Sequence, residues 1–161
     1  MFSGIHGRWP SRACGMVLAG LMLLGVVGCG GVDPWDEIPV SGKITYEDGT
    51  FIQGDRVRLT FQSQAESPDE AVHPRPGQAE VNVADGTFSE ATTVVAGDGL
   101  IPGKHTVYAF SGNEQGEETA LTIVQITSYD SSGQATELTV PPPEIEVSSS
   151  VTRFEFKVKK E

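Results

Sequence analysis

The chain has 161 residues, with 11 Lys and Arg against 22 Asp and Glu and a formal net charge of −11. A surface so acidic repels phosphate backbones, which argues against nucleic acid as a partner and disfavours close contact with anionic lipid head groups. Two cysteines, Cys14 and Cys29, are too few for a disulfide-braced scaffold, so stability has to come from core burial.

The N-terminus has the three zones of an export signal. Arg8 and Arg12 precede any acid, an apolar core runs from Met16 to Gly28, and small residues lead to Cys29. The core is 13 residues long, whereas a helix needs about 20 apolar residues to cross a hydrocarbon layer of about 30 Å. A signal peptide over residues 1–28 is therefore the better reading than a stable transmembrane helix. Val26-Val27-Gly28-Cys29 resembles the bacterial lipobox. That resemblance implies cleavage before Cys29, a thioether-linked diacylglycerol on Cys29 and, in many bacteria, an acyl chain on the new amino group. Two or three such chains hold a protein on a membrane where one does not. The alternative for Cys29 is an ordinary buried or free thiol. Gly30 takes the place of the aspartate that resembles an inner-membrane retention signal, which favours the outer membrane of the cell envelope. Residues 29–37 would form the lipidated N-terminus and tether, with Gly30 to Glu37 reaching about 25 Å at roughly 3.3 Å per residue.

From Pro39 onward the hydrophobic period is two, the mark of strands with one buried face, and helix signals are nearly absent. Val40, Gly42, Ile44 and Tyr46 alternate with polar residues up to the turn pair Asp48-Gly49. Val57, Leu59 and Phe61 make a second run, expected to form a hairpin with the first or to lie near it. Ser63 to Gly77, with Pro68, Pro74 and Pro76, reads as a long surface loop. Ala79, Val81 and Val83 alternate next, before Asp85-Gly86 and Thr87-Phe88-Ser89. After a turn at Gly97 to Gly103, Lys104 to Phe110 carries apolar groups on both faces, as an interior strand does. Ser111 to Thr119 reads as an acidic loop and Ala120 to Tyr129 as one more apolar run. Pro141-Pro142-Pro143 marks an extended crossing, and the closing strand turns Phe154, Phe156 and Val158 inward as a core anchor. The expected fold is all-β, a single antiparallel β-sandwich of about seven strands over residues 38–161.

Ser41-Gly42-Lys43-Ile44-Thr45-Tyr46-Glu47-Asp48-Gly49, Val57-Arg58-Leu59, Asp85-Gly86-Thr87-Phe88-Ser89 and Leu100-Ile101-Pro102-Gly103-Lys104-His105 resemble carboxypeptidase regulatory-like domains. The resemblance spans roughly Val40 to Phe110, with Phe154-Glu155-Phe156 consistent with the family's closing strand. It implies a transthyretin- or prealbumin-like sandwich, usually without catalytic activity.

Beyond the leader, the residues offer little chemistry. His73 and His105 are the histidines that follow Cys29, no Gly-x-Ser-x-Gly elbow occurs, and Cys29 is committed to lipid. His105 alternates with Val107 and reads as a packed or surface histidine; His73 reads as solvated. Glu114, Glu117 and Glu118 could chelate calcium weakly, but an acidic run is more simply a solvated one. A Lys-to-Asn isopeptide from Lys43 is disfavoured because Asn82 and Asn113 both lie outside the closing strand. The expectation is therefore a protein without cofactor, metal site or catalytic residues. Its partners would be the membrane, through lipid on Cys29, and an envelope protein or polysaccharide. The first function is a structural or display module. The second is a ligand- or carbohydrate-binding module, which predicts that loops 63–77 and 111–119 meet at one end. An enzyme of unrecognised type is the third.

Overall fold

The computed structural model describes residues 36–67 and 73–160. The signal peptide over 1–28, Cys29 and tether residues 30–35 lie outside them. Eleven strands follow in chain order: β1 (Ser41–Tyr46), β2 (Arg56–Ser63), β3 (Gly77–Val81), β4 (Thr87–Phe88), β5 (Ala91–Thr92), β6 (Gly103–Gly112), β7 (Glu118–Leu121), β8 (Ile123–Asp130), β9 (Ala135–Leu138), β10 (Glu144–Val147) and β11 (Val151–Val158). They form two sheets. One has the order β4-β1-β11-β8-β9; the other has the order β10-β6-β2-β3-β5, with β7 also on β6.

The all-β sandwich is as the alternation requires, but it has more strands than the expected seven. The excess comes from among the two-residue and four-residue pieces β4, β5, β7, β9 and β10, too short to show a period. β1 and β2 do not form a hairpin. The Asp48-Gly49 turn closes on itself through Gly49 N–H to Tyr46 O at 2.9 Å and Tyr46 N–H to Thr50 O at 2.9 Å, and buried Ile52 then carries the chain to the opposite sheet. β1 instead runs parallel to β11, from Ser41 opposite Arg153 to Tyr46 opposite Val158, so the first sheet is mixed rather than wholly antiparallel. Val83 falls in the turn after β3 and is exposed. The apolar run at 120–129 is two strands, β7 and β8, because the chain changes sheets at Thr122.

The core lies between the sheets. Ile44, Phe88, Ile126, Phe154, Phe156 and Val158 from one sheet meet Val57, Leu59, Phe61, Ala79, Val107 and Ala109 from the other, all buried. Phe61 bridges the layers, with ring centroids 6.2 Å from Phe88 and 6.4 Å from Phe156, while Phe88 and Phe156 lie 6.1 Å apart. Gly42 is required where β1 passes β11. A Cβ there would run into the Phe154 carbonyl oxygen and come within 2.8 Å of the Phe88 ring.

Register also sorts the loops. Arg56 pairs with Gly112 and Ser63 with His105, so β2 and β6 are antiparallel along their full overlap. The loop after Ser63 and the turn after Gly112 therefore leave opposite ends of the sandwich. The segment before β1 belongs to the same end as the first of these, since Ile38 and Leu100 exchange backbone hydrogen bonds of 2.7 and 3.0 Å.

Candidate functional site

Among the described residues three polar side chains are buried: Ser63, His105 and Ser128. None is a carboxylate, and among the described residues no group of three or more His, Cys, Asp or Glu could hold a metal ion. His105 faces the core from β6, and its Nδ1 lies 3.1 Å from the Gly103 carbonyl oxygen, to which it donates when protonated there. Burial lowers its basicity below the ordinary imidazole value, and the Gly103 hydrogen bond opposes that shift in part. It is a packed histidine, and among the described residues no acid forms an ion pair with it. His73 is exposed in the loop before β3.

The acidic stretch at 111–119 is the β6–β7 hairpin, with its turn between Gly112 and Glu118. Asn113 Nδ2 donates to Glu117 at 2.9 Å, Glu117 N–H donates back to Asn113 Oδ1 at 2.9 Å, and Glu118 accepts from Arg58 at 2.7 Å. The Lys43 ammonium lies 5.2 Å from the Phe51 ring centroid, and Asn82 Oδ1 accepts from Ala84 N–H at 3.0 Å in its turn. Loops 63–77 and 111–119 leave opposite ends of the β2–β6 pair, so they do not form the joint rim that a two-loop binding site needs.

Two surface features remain. On the outer face of β2 and β3, Arg56 pairs with Glu80, and Arg58 reaches Glu118 while lying 5.6 Å over Phe110. Arg56, Arg58 and Glu80 border an open polar hollow of about 580 Å³ that extends to Glu90 and Thr92. The second is a groove of about 300 Å³ lined by Tyr108, Phe110, Leu121, Val140, Pro141 and Pro143, among others. It exists because β7 covers one half of the β6 edge and β10 the other. Between them the chain crosses sheets twice, at Thr122 and at 139–143. Val107 N–H donates to Pro143 O at 2.8 Å and fixes the proline wall against β6. Tyr108 stands 48% exposed at the rim. The sequence places Tyr108 and Phe110 on the second apolar face of an interior strand. β6 is interior, with neighbours along both edges, but its second face is the outside of the molecule. The proline triplet next to an aromatic strand was the signal for the groove, legible only once register brought residues 140–143 beside 107–110.

Comparison of the chain with known protein families, characterised proteins and solved structures gives no match.

Proposed function

We propose that the chain is a lipid-anchored, non-catalytic module of the cell envelope, held on the outer membrane through Cys29 and presenting its β-sandwich to an envelope protein or polysaccharide. The observation that carries this reading is the leader itself, a short apolar core ending in Val26-Val27-Gly28-Cys29. A sandwich similar to carboxypeptidase regulatory-like domains fits it. So does a described interior whose polar side chains are two serines and one histidine, with no buried carboxylate to be tuned as acid or base. The test is mass spectrometry of the mature protein from membranes. The expected N-terminus is a diacylglyceryl-modified Cys29, and Cys29→Ser accumulates as unprocessed chain. An unmodified Cys29, or a mature chain that starts elsewhere, overturns the reading.

The groove at Tyr108 favours a second reading, a small-ligand or carbohydrate-binding module. Its volume of about 300 Å³ falls at the lower end for ligand pockets, and its lining is mostly apolar with an aromatic rim. On this reading an oligosaccharide raises the thermal midpoint of the native protein and that shift disappears in Tyr108→Ala; no shift with any oligosaccharide tested counts against it.

A further inference from the structure

We propose that the loop Thr93–Asp98 is a second membrane contact, with Val94 and Val95 entering the head-group boundary of a zwitterionic bilayer; this rests on the reading of Cys29 as the lipid anchor. Val94 is 46% exposed and Val95 66%, the latter being the most exposed large hydrophobic among the described residues. The pair is presented on a stiff loop. The Asp98 carboxylate accepts hydrogen bonds from the N–H groups of Thr93 at 2.8 Å, Val94 at 2.8 Å and Val95 at 2.7 Å, and from the Thr93 hydroxyl at 3.0 Å. Gly97 N–H donates to Thr92 Oγ1 at 3.1 Å and Asp98 N–H to Val95 O at 3.0 Å. The cost that normally keeps loops out of a low-polarity layer is that of stripping water from unpaired N–H groups. Here the N–H groups of Thr93, Val94, Val95, Gly97 and Asp98 are already satisfied locally.

Position supplies the occupant. Two residues beyond the loop, Leu100 exchanges hydrogen bonds with Ile38, and Gly99 packs so closely on the Ile38 carbonyl that a Cβ would also come within 2.8 Å of Pro39 N. Ile38 is nine residues after Cys29, and nine residues span at most about 30 Å. The described residues nearest Cys29 in the chain therefore lie at the end of the sandwich that carries Val94 and Val95. Glu90 lies against Gly97, and Asp36 and Glu37 precede Ile38. Acids at this end favour neutral or zwitterionic head groups over anionic ones.

The test uses full-length lipidated protein in phosphatidylcholine vesicles, with Val95→Cys or Glu114→Cys carrying a nitrobenzoxadiazole label. Glu114 lies in the β6–β7 turn at the opposite end and serves as the reference. Circular dichroism confirms that each variant is folded, and mass spectrometry reports Cys29 in the same samples. With Cys29 lipidated, the label at 95 shifts to the blue and is quenched about twofold or more by brominated acyl chains, as a depth of roughly 5–10 Å requires. The label at 114 is not quenched. Equal, negligible quenching at both sites with Cys29 lipidated overturns the inference and leaves the anchor standing. A blue shift at 95 without bromine quenching assigns the loop to a second copy or another protein and also overturns it. An unmodified Cys29 removes the anchor and this inference with it.

Discussion

Replacing Phe156 by alanine tests the arrangement of the core most directly. The side chain is 1% exposed and touches three other phenylalanines, with centroids 6.1 Å from Phe88, 6.4 Å from Phe61 and 6.4 Å from Phe154. Losing the transfer free energy of a buried phenylalanine costs about 2–3 kcal/mol. A residual cavity of roughly 80 Å³ at about 24 cal/mol per Å³ adds about 2 kcal/mol. The loss is then about 4 kcal/mol, out of the 5–15 kcal/mol typical of a domain. With a urea slope of about 1.5 kcal/mol per M, the unfolding midpoint falls by roughly 2.5 M. Phe51 is the internal comparison, since it is 38% exposed and meets Lys43 over its ring. Phe51→Ala should lose less than about 1 kcal/mol. Equilibrium urea unfolding followed by tryptophan-independent circular dichroism measures both. Equal losses for the two variants, or a Phe156→Ala change within about 0.5 kcal/mol, would refute the layered packing around Phe61, Phe88 and Phe156.

Other expectations follow from single contacts. Gly42→Ala drives a methyl into the Phe154 carbonyl, which belongs to the backbone of the paired strand and cannot swing aside; a loss of about 2–3 kcal/mol in urea unfolding is expected, and a neutral effect would mean that β1 is not seated on β11 as described. His105 is held below its ordinary value mainly by burial, so the unfolded chain takes up its proton first as pH falls. Its contribution is whole above about pH 6.5 and is lost as pH drops toward the folded value, so the thermal midpoint should fall between pH 7 and 5, and less so in His105→Leu. For Asp98, burial pushes the carboxyl up, but the N–H groups of Val95, Thr93 and Val94 and the Thr93 hydroxyl outweigh it and hold the group below the usual range. That stability is present above about pH 4 and lost as pH falls through the folded value, and Asp98→Asn should flatten the acid limb of the midpoint curve.

Much of the fold was legible because burial leaves a period in the sequence. β2 and β11 alternate without a break, and their inward residues Val57, Leu59, Phe61, Phe154, Phe156 and Val158 are all buried. What the alternation does not encode is the neighbour. A strand with one apolar face is satisfied by any partner that covers it, so nothing within Ser41–Tyr46 distinguishes the nearby β2 from β11 at the far end of the chain. The edge strand β9 was lost for a different reason. Ala135–Leu138 is largely exposed on both faces, and a strand that buries nothing leaves no hydrophobic rhythm. The surface features depend on register and so were the least legible. Tyr108 faces Val140 and the prolines only because β6 has different partners at its two halves, and Val94-Val95 reads as two unremarkable valines until Asp98 closes the loop beneath them.

The seating of β1 on β11 governs when this molecule can come into being. Ser41 and Arg153 are adjacent in the sheet yet 112 positions apart along the chain, and the other neighbour of β1 is the two-residue β4. Closing so distant a pair is slow, because nearly the whole chain must be gathered before the contact is made. While the chain grows from the N-terminus, β1 has no long neighbour in its own sheet until Val151–Val158 has been made. A chain interrupted anywhere before Val151 leaves the facing backbone edges of Ser41–Tyr46 and Ile123–Asp130 without the strand that joins them. β11 is thus the strand that joins β1 to β8, and the first sheet cannot close before it is in place.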